Sequence, residues 1–281
     1  MGDFNSGFVN ANGISIHYYR SLASNRLTTL GYPIVMLHGV TDNGMCWERV
    51  ALALQDRFDI IMMDARGHGK TDSPDDGYGI EDRAADVAGL IDGLGIEKVV
   101  LLGHSMGAET ATATAAIYPS KIGAIILEDP PWPGRFWGST PEEREERAVA
   151  WEQEIIRRRS LSKEQIIAEG KRVNPNWSEV EWSAWADSKL QLSANISKIA
   201  TAPRRRWTDY LGATRCPILL LMGDPTLGGI VNQNTAAEAE RWWTSGKIVQ
   251  IPCAGHNIRR DQYEAFMNAV NDFLANVNRT I

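Results

Sequence analysis

Cysteine is scarce, and its spacing excludes two kinds of scaffold. Only Cys46, Cys216 and Cys253 occur in 281 residues. They form an odd set without a C-x-x-C pair, so neither a disulfide frame nor a zinc site is expected. A basic excess is also missing. The net charge is −6 and the pI is near 5.5, which argues against a nucleic-acid partner. No apolar run approaches the roughly 18 residues that a membrane-spanning helix needs. The first stretch, with Asp3, Asn5 and Asn10, lacks the basic start and apolar run of a signal peptide. Low-complexity segments and internal repeats are absent too. These absences predict a cytoplasmic protein, a monomer or homodimer, that binds no nucleic acid, membrane or metal.

What is present is a chain that is 43% hydrophobic. It is long enough to bury a full core as one α/β domain, or as one with an insertion. Residues 2–21 alternate around Asn12-Gly13 and read as a hairpin. Pro33 to His38, Phe58 to Asp64, Val99 to Leu102 and Ile122 to Leu127 are short continuous apolar runs, as in strands buried on both faces of a parallel sheet. Helical periodicity separates them, for example from Ile80 to Leu94. The composition changes at Trp132. From there to about Leu211 no buried-strand signal occurs. Capping-box spacing marks three helix starts instead: Thr140 with Glu143, Ser162 with Gln165, and Ser178 with Glu181. The α/β rhythm returns with Pro217 to Met222, a helix over Ala236 to Trp243, a strand over Lys247 to Ile251, and a final amphipathic helix from about Asp261 to Val277. The pattern predicts an α/β fold with a mostly parallel central sheet flanked by helices. Its core domain is residues 1–131 and 212–281, and an all-helical cap is inserted over 132–211.

One stretch carries chemistry. Val99 to Ala108 reads as a strand, a sharp corner and a helix, with G-x-S-x-G at Gly103, Ser105 and Gly107. A serine at such a corner sits in a strained backbone conformation, so its neighbours two away must be small. The corner lifts the hydroxyl into a cleft, where the first amide of the next helix, that of Met106, also points. A serine hydroxyl needs an adjacent base, and there are five histidines to choose from. His104 precedes the serine on the strand and should point away into packing. His38 sits at a strand end and suits a loop brace. His68 lies in a glycine loop, and His17 in the outer hairpin. His256 follows the last strand, so it emerges with Ser105 at the carboxyl edge of a parallel sheet. It is the candidate base.

Four motifs in order, His38-Gly39-Val40, Asp64-Ala65-Arg66-Gly67-His68-Gly69, Gly103 to Gly107, and Ala254-Gly255-His256, resemble the α/β-hydrolase superfamily over nearly the whole chain. The resemblance implies the α/β-hydrolase fold and a cofactor-free Ser-His-acid mechanism. It also implies an oxyanion hole from the amides of Val40 and Met106, with Gly39 beside the substrate. Three carboxylates compete for the acid position. Most of the superfamily places it after the strand that follows the cap, where Thr226 holds the expected position and Asp224 lies close by. A minority places it before the cap, where Glu128 and Asp129 precede Pro130-Pro131. That ending is similar to N-formylmaleamate deformylase-type members, which favours Asp129. Lactone-cleaving members favour Glu128.

The implied activity is cleavage of a small carboxylic ester, lactone or amide through an acyl-serine. The alternatives are a deformylase or amidase restricted to C–N bonds, and a slow-turnover ligand receptor on the same fold. Tryptophans crowd the cap segment. Trp132 and Trp137 are expected to line the site, which suits a small-molecule substrate that is partly apolar or aromatic. The arginine runs 157–159 and 204–206 read as solvated faces, unless one arginine turns inward to clamp a carboxylate.

Overall fold

An Asn-Gly turn starts the fold. The structure, a computed structural model, describes residues 4–21, 31–132 and 139–277. Strands β1 (Asn5–Ala11) and β2 (Ile14–Ser21) pair antiparallel, with Val9 opposite Ile16. Asn12 and Gly13 between them have φ of 48° and 77°. A two-residue hairpin turn matching the strand twist needs such a left-handed pair.

The chain then alternates. Strand β3 (Ile34–Leu37) leads to α1 (Glu48–Leu54), β4 (Ile60–Met63), α2 (Ile80–Gly93), β5 (Val99–His104), α3 (Met106–Ile117) and β6 (Ile122–Glu128). Among the described residues only helices follow before the next strand: α4 (Pro141–Arg159), α5 (Lys163–Val173), α6 (Trp182–Leu190), α7 (Trp207–Ala213) and short 3-10 turns. The rhythm resumes with β7 (Ile218–Met222), α8 (Gln233–Glu240), β8 (Gly246–Gln250), α9 (Ile258–Asp261) and α10 (Tyr263–Val277). The eight strands form one sheet in the order β1-β2-β4-β3-β5-β6-β7-β8. Pairings made by β2 are antiparallel, and all the others are parallel.

Alternation along the strands divides the core in two. Val35, Leu37, Leu101, Ile125 and Leu220 face one side, against Leu90 and Ile91 of α2 and Ala108 and Ala111 of α3. Ile34, Met36, Leu102, Ile126 and Leu221 face the other, against Leu54 of α1 and Phe266, Val270 and Leu274 of α10. Burial on both faces is why these strands read as unbroken apolar runs. The small residues of α3 let it lie close against the sheet centre, which fixes the serine corner at its start.

Two of the expected capping boxes form. Thr140 and Glu143 bond reciprocally, as do Ser162 and Gln165. The third does not. Ser178 starts only a 3-10 turn over Glu179–Glu181 and makes no side-chain cap. Glu181 is drawn instead to Arg260, whose Nε donates to it at 3.2 Å. A buried cation competes better for that carboxylate than a backbone amide does. Among the described residues no helix is long and apolar enough to cross a membrane.

Candidate active site

Ser105 sits between β5 and α3 with φ 50° and ψ −115°. Few non-glycine residues adopt this conformation, and those that do cluster at functional sites. Packing holds it there. A Cβ added to Gly103 would lie 2.4 Å from the Gly107 backbone, and one on Gly107 would lie 2.0 Å from the Leu37 carbonyl oxygen. The glycines on each side of the serine are therefore steric requirements of the corner. The Ser105 amide donates to the Glu128 carbonyl at 2.9 Å, which ties the corner to β6.

His256 enters from the loop after β8. Its Nδ1 lies 2.6 Å from Asp129 Oδ2. A carboxylate accepts, so Nδ1 carries the proton and Nε2 is left as the basic nitrogen. Asp129 is fully buried and has φ of 42°, a left-handed conformation that Asp tolerates better than most residues. Its carboxylate also accepts from the backbone amides of Ile230 at 2.8 Å and Val231 at 3.0 Å.

The competing acids are engaged elsewhere. Glu128 is taken up by Arg259. It accepts from the Arg259 amide and guanidinium, each at 2.9 Å, and burial pushes its carboxyl above the usual range. Asp224 caps its own turn through the Thr226 amide at 2.8 Å and hydroxyl at 2.7 Å. Hydrogen bonds from Thr226 hold its carboxyl below the usual range.

Ser105 and His256 line one cavity of about 410 Å³, with Gly39, Val40 and Met106 in the same wall. Among the described residues no hydrogen bond joins the serine hydroxyl to the ring, so in this state they share the cavity without a bond. Met106 is the first residue of α3, so its amide is one of those a helix leaves unpaired. Among the described residues no group of His, Cys, Asp and Glu could hold a metal ion.

The remaining histidines brace loops. The Ala65 amide donates to His38 Nε2 at 3.0 Å, so its Nδ1 donates to the Gly39 carbonyl at 2.8 Å. His68 Nδ1 bonds the Arg66 carbonyl at 2.8 Å. Burial lowers the His38 ring's basicity, and burial with His38 beside it takes His68 down to about 3. His17 pairs with Asp64 at 2.8 Å. His104 departs from expectation. It is buried but not turned away. It lines the cavity, and its Nε2 donates to the His256 carbonyl at 3.0 Å. It shares a sheet face with Leu102, the face under α10, and the His256 loop lands there. A Cβ on Gly39 would lie 2.6 Å from its Nδ1, which makes glycine necessary at that position.

Of the expected aromatic lining, Trp132 is corrected. Its ring is 1% exposed, stacks on Trp207 at 4.8 Å and belongs to the core under α3. Its amide folds back on the Pro130 carbonyl at 2.7 Å, and this turn takes the side chain off the cavity and leaves Pro131 in the wall. Trp137 lies outside the described residues. Among the described residues, the tryptophans that line the cavity are Trp151, Trp177 and Trp185. Trp177 stacks on Trp182 at 5.3 Å, and Trp182 meets Trp185 edge-on at 5.6 Å. The crowding of tryptophans in this segment is plain in the sequence, but not which rings face inward. Arg204 and Arg260 also reach the cavity. Arg204 lies 3.5 Å from Glu109, which also binds Arg83 at 2.9 Å.

Asp42 and Arg260 of the cavity lining belong to a buried ionic network. Asp42 accepts from Lys189 at 3.0 Å, Arg260 at 2.9 Å and Arg259 at 3.2 Å. Burial alone would raise the Asp42 carboxyl, but the charges of Arg260, Lys189 and Arg259 hold it well below the usual range. Burial lowers Lys189, partly offset by Asp42.

The sequence pattern of the alpha/beta hydrolase fold family matches residues 32–259. The chain belongs to that family. This α/β-hydrolase is 29% identical over 279 residues to the N-formylmaleamate deformylase of Pseudomonas putida, across 95% of this chain and 96% of that enzyme. It is 27% identical over 253 residues to the 2-(acetamidomethylene)succinate hydrolase of Mesorhizobium japonicum, across 86% and 87% of the two chains. The crystal structure of an E-2-(acetamidomethylene)succinate hydrolase superposes with a TM-score of 0.80 at 25% identity, covering 97% of this chain and all of that one.

Proposed function

We propose that this α/β-hydrolase cleaves a small carboxylic ester, lactone or amide, with Ser105 as nucleophile, His256 as general base and Asp129 as the acid that orients it. The reading rests on one observation above all: the imidazole is hydrogen-bonded to a buried, doubly amide-anchored carboxylate beside a cavity that the serine also lines. His256 Nε2 takes the serine proton as Oγ attacks the carbonyl carbon. Asp129 keeps the ring in its Nδ1-protonated form and stabilises the imidazolium that results. The amides of Val40 and Met106 receive the oxyanion, each worth about 3 kcal/mol in the transition state. The imidazolium then protonates the leaving group, and water clears the acyl-serine by the same path in reverse. In this reading residues 132–211 act as a lid on a core formed by 1–131 and 212–281.

A second reading narrows the bond to C–N. Two of the relatives that cover most of this chain are named as an N-formylmaleamate deformylase and a 2-(acetamidomethylene)succinate hydrolase. Both names describe amides of carboxylate-bearing acids, and Arg204 in the cavity wall suits a substrate carboxylate.

Matched small esters, lactones and amides, with and without a free carboxylate, test both readings on the wild type and on Ser105→Ala. The expected result is turnover that Ser105→Ala loses by about 10³-fold or more. Release of the acyl-enzyme in single-turnover mass spectrometry should be fast. Unchanged turnover in Ser105→Ala would sink the serine mechanism. A persistent adduct would favour a receptor. An amide preference above that for the matched ester would select the narrower reading.

A further inference from the structure

His256 sits on a stretch that no regular element holds. Strand β8 ends at Gln250 and α9 begins at Ile258. The loop between them includes Cys253 at φ of 58°, a left-handed conformation that cysteine seldom adopts. Where the imidazole stands is therefore set by what the loop touches. His256 itself is held at both ends. Asp129 accepts its Nδ1 proton, and its backbone carbonyl accepts from His104 Nε2 at 3.0 Å. The His104 ring also packs directly on the His256 ring, with centroids 4.7 Å apart and planes tilted by 43°.

The state of the His104 ring follows from that bond. A carbonyl can only accept, so Nε2 carries the proton and Nδ1 keeps a lone pair. Among the described residues that Nδ1 is buried without a hydrogen-bond partner. A buried acceptor left unpaired costs stability, and a leucine would fill similar space without that cost. What the imidazole supplies and an aliphatic side chain does not is the Nε2 proton. It supplies it without charge. Burial, then the charges of Arg259 and His256, hold the His104 ring well below the usual imidazole range. A cation in this place would oppose the positive charge that the His256 ring takes on when it accepts the serine proton.

We propose that His104 is a positioning residue for the general base: its Nε2 proton fixes the His256 carbonyl, and its ring backs the His256 imidazole on the side of the cavity that Ser105 lines. The proposal rests on the serine-hydrolase reading above. His104 is the last residue of β5 and Ser105 follows it, so one strand end presents the nucleophile and sets the base against it. His104 takes part in no bond-making step. Reaction geometry is sensitive to displacements of about 1 Å, so its loss acts on kcat more than on KM.

The test uses the full chain, with p-nitrophenyl acetate as substrate and proton NMR of the free protein. His104→Leu removes the donor and roughly keeps the volume. The expected result is a kcat lower by about 10- to 100-fold, with KM within about threefold. The low-field resonance of the His256 Nδ1 proton should broaden or vanish in the same variant, because a ring without its backing leaves Asp129 part of the time. His104→Gln places an amide N–H as many bonds from the backbone as Nε2 stands. It should restore the resonance and bring kcat to within about fivefold of the wild type, which a ring kept only for packing would not do. His104→Asn is one bond too short to reach the carbonyl and should behave as His104→Leu does, so it takes that variant's place if His104→Leu does not fold. Unchanged kcat in the variant without the donor overturns the proposal and leaves the hydrolase reading standing. So does an equal loss in His104→Gln. If the wild type does not turn over this ester, the resonance decides by the same comparisons. Activity that survives Ser105→Ala overturns both.

Discussion

Strands β6 and β7 end side by side at the cavity edge, with Glu128 paired to Leu221, and each runs into an acid. Their surroundings differ. After β6, Asp129 is fully buried and takes two backbone amides and an imidazole. After β7, Asp224 is partly exposed and spends its oxygens on Thr226, two residues on. The two amides that anchor Asp129 come from the loop after β7, the loop that carries Asp224. That loop supplies backbone donors to the carboxylate of its neighbour. A carboxylate's role at a sheet edge is thus set by which donors converge on it.

Variants at these positions test the contrast. Asp129→Asn should cost the most, about 10⁴-fold in kcat, because an amide in its place leaves the wrong tautomer facing the serine. Steady-state kinetics on a small ester checks it, and a loss below about tenfold would erase the contrast with Asp224. Glu128→Gln comes next, and its effect should fall on stability. Removing one partner of a buried ion pair leaves Arg259 leaning on Asp42 alone, at a cost of about 3 kcal/mol in urea denaturation, with kcat within about tenfold.

A pH-dependent effect separates buried rings from the exposed edge. His68 is neutral in the folded chain, and burial, with His38 beside it, lowers its pKa to about 3 from 6.5. The unfolded chain binds that proton first as pH falls. The stability His68 contributes is therefore complete above pH about 6.5 and is lost on the way down towards pH 3, by about 1.4 kcal/mol per pH unit. His68→Asn should flatten the slope of unfolding free energy against pH over that window, and an unchanged slope would show that the ring takes up its proton at the same pH in the folded and unfolded chains. Asp224→Asn should do least. It keeps the turn cap and should leave the urea midpoint unchanged, with kcat within about twofold. A large loss of rate there would reverse the assignment of the two strand ends.

Some parts of this protein could be read directly from the chain because their causes are local. Asn12-Gly13 can hardly do anything but turn a hairpin, and Thr140 and Ser162 find their partners three residues away. The serine corner was equally legible, since the clashes that demand Gly103 and Gly107 arise within the motif and its neighbouring strand. Ser178 shows the limit of such reasoning. Its partner Glu181 is correctly spaced but is captured by Arg260, a residue 79 positions away. Trp132 shows the same limit. Its place beside the acid suggested the cavity, and a backbone turn sent it into the core.

The sequence determined the alternation of strands and helices, the strained serine and the short list of rings and carboxylates that could serve it, because each depends on neighbours within a few residues. Only the tertiary structure decided that Asp129 meets His256, that the loop after β7 donates to Asp129 instead of replacing it, and that His104 donates to the His256 carbonyl. Those choices are made by donors and charges that converge from distant segments, and at each of them burial makes an unpaired polar group costly enough for the partner to be fixed.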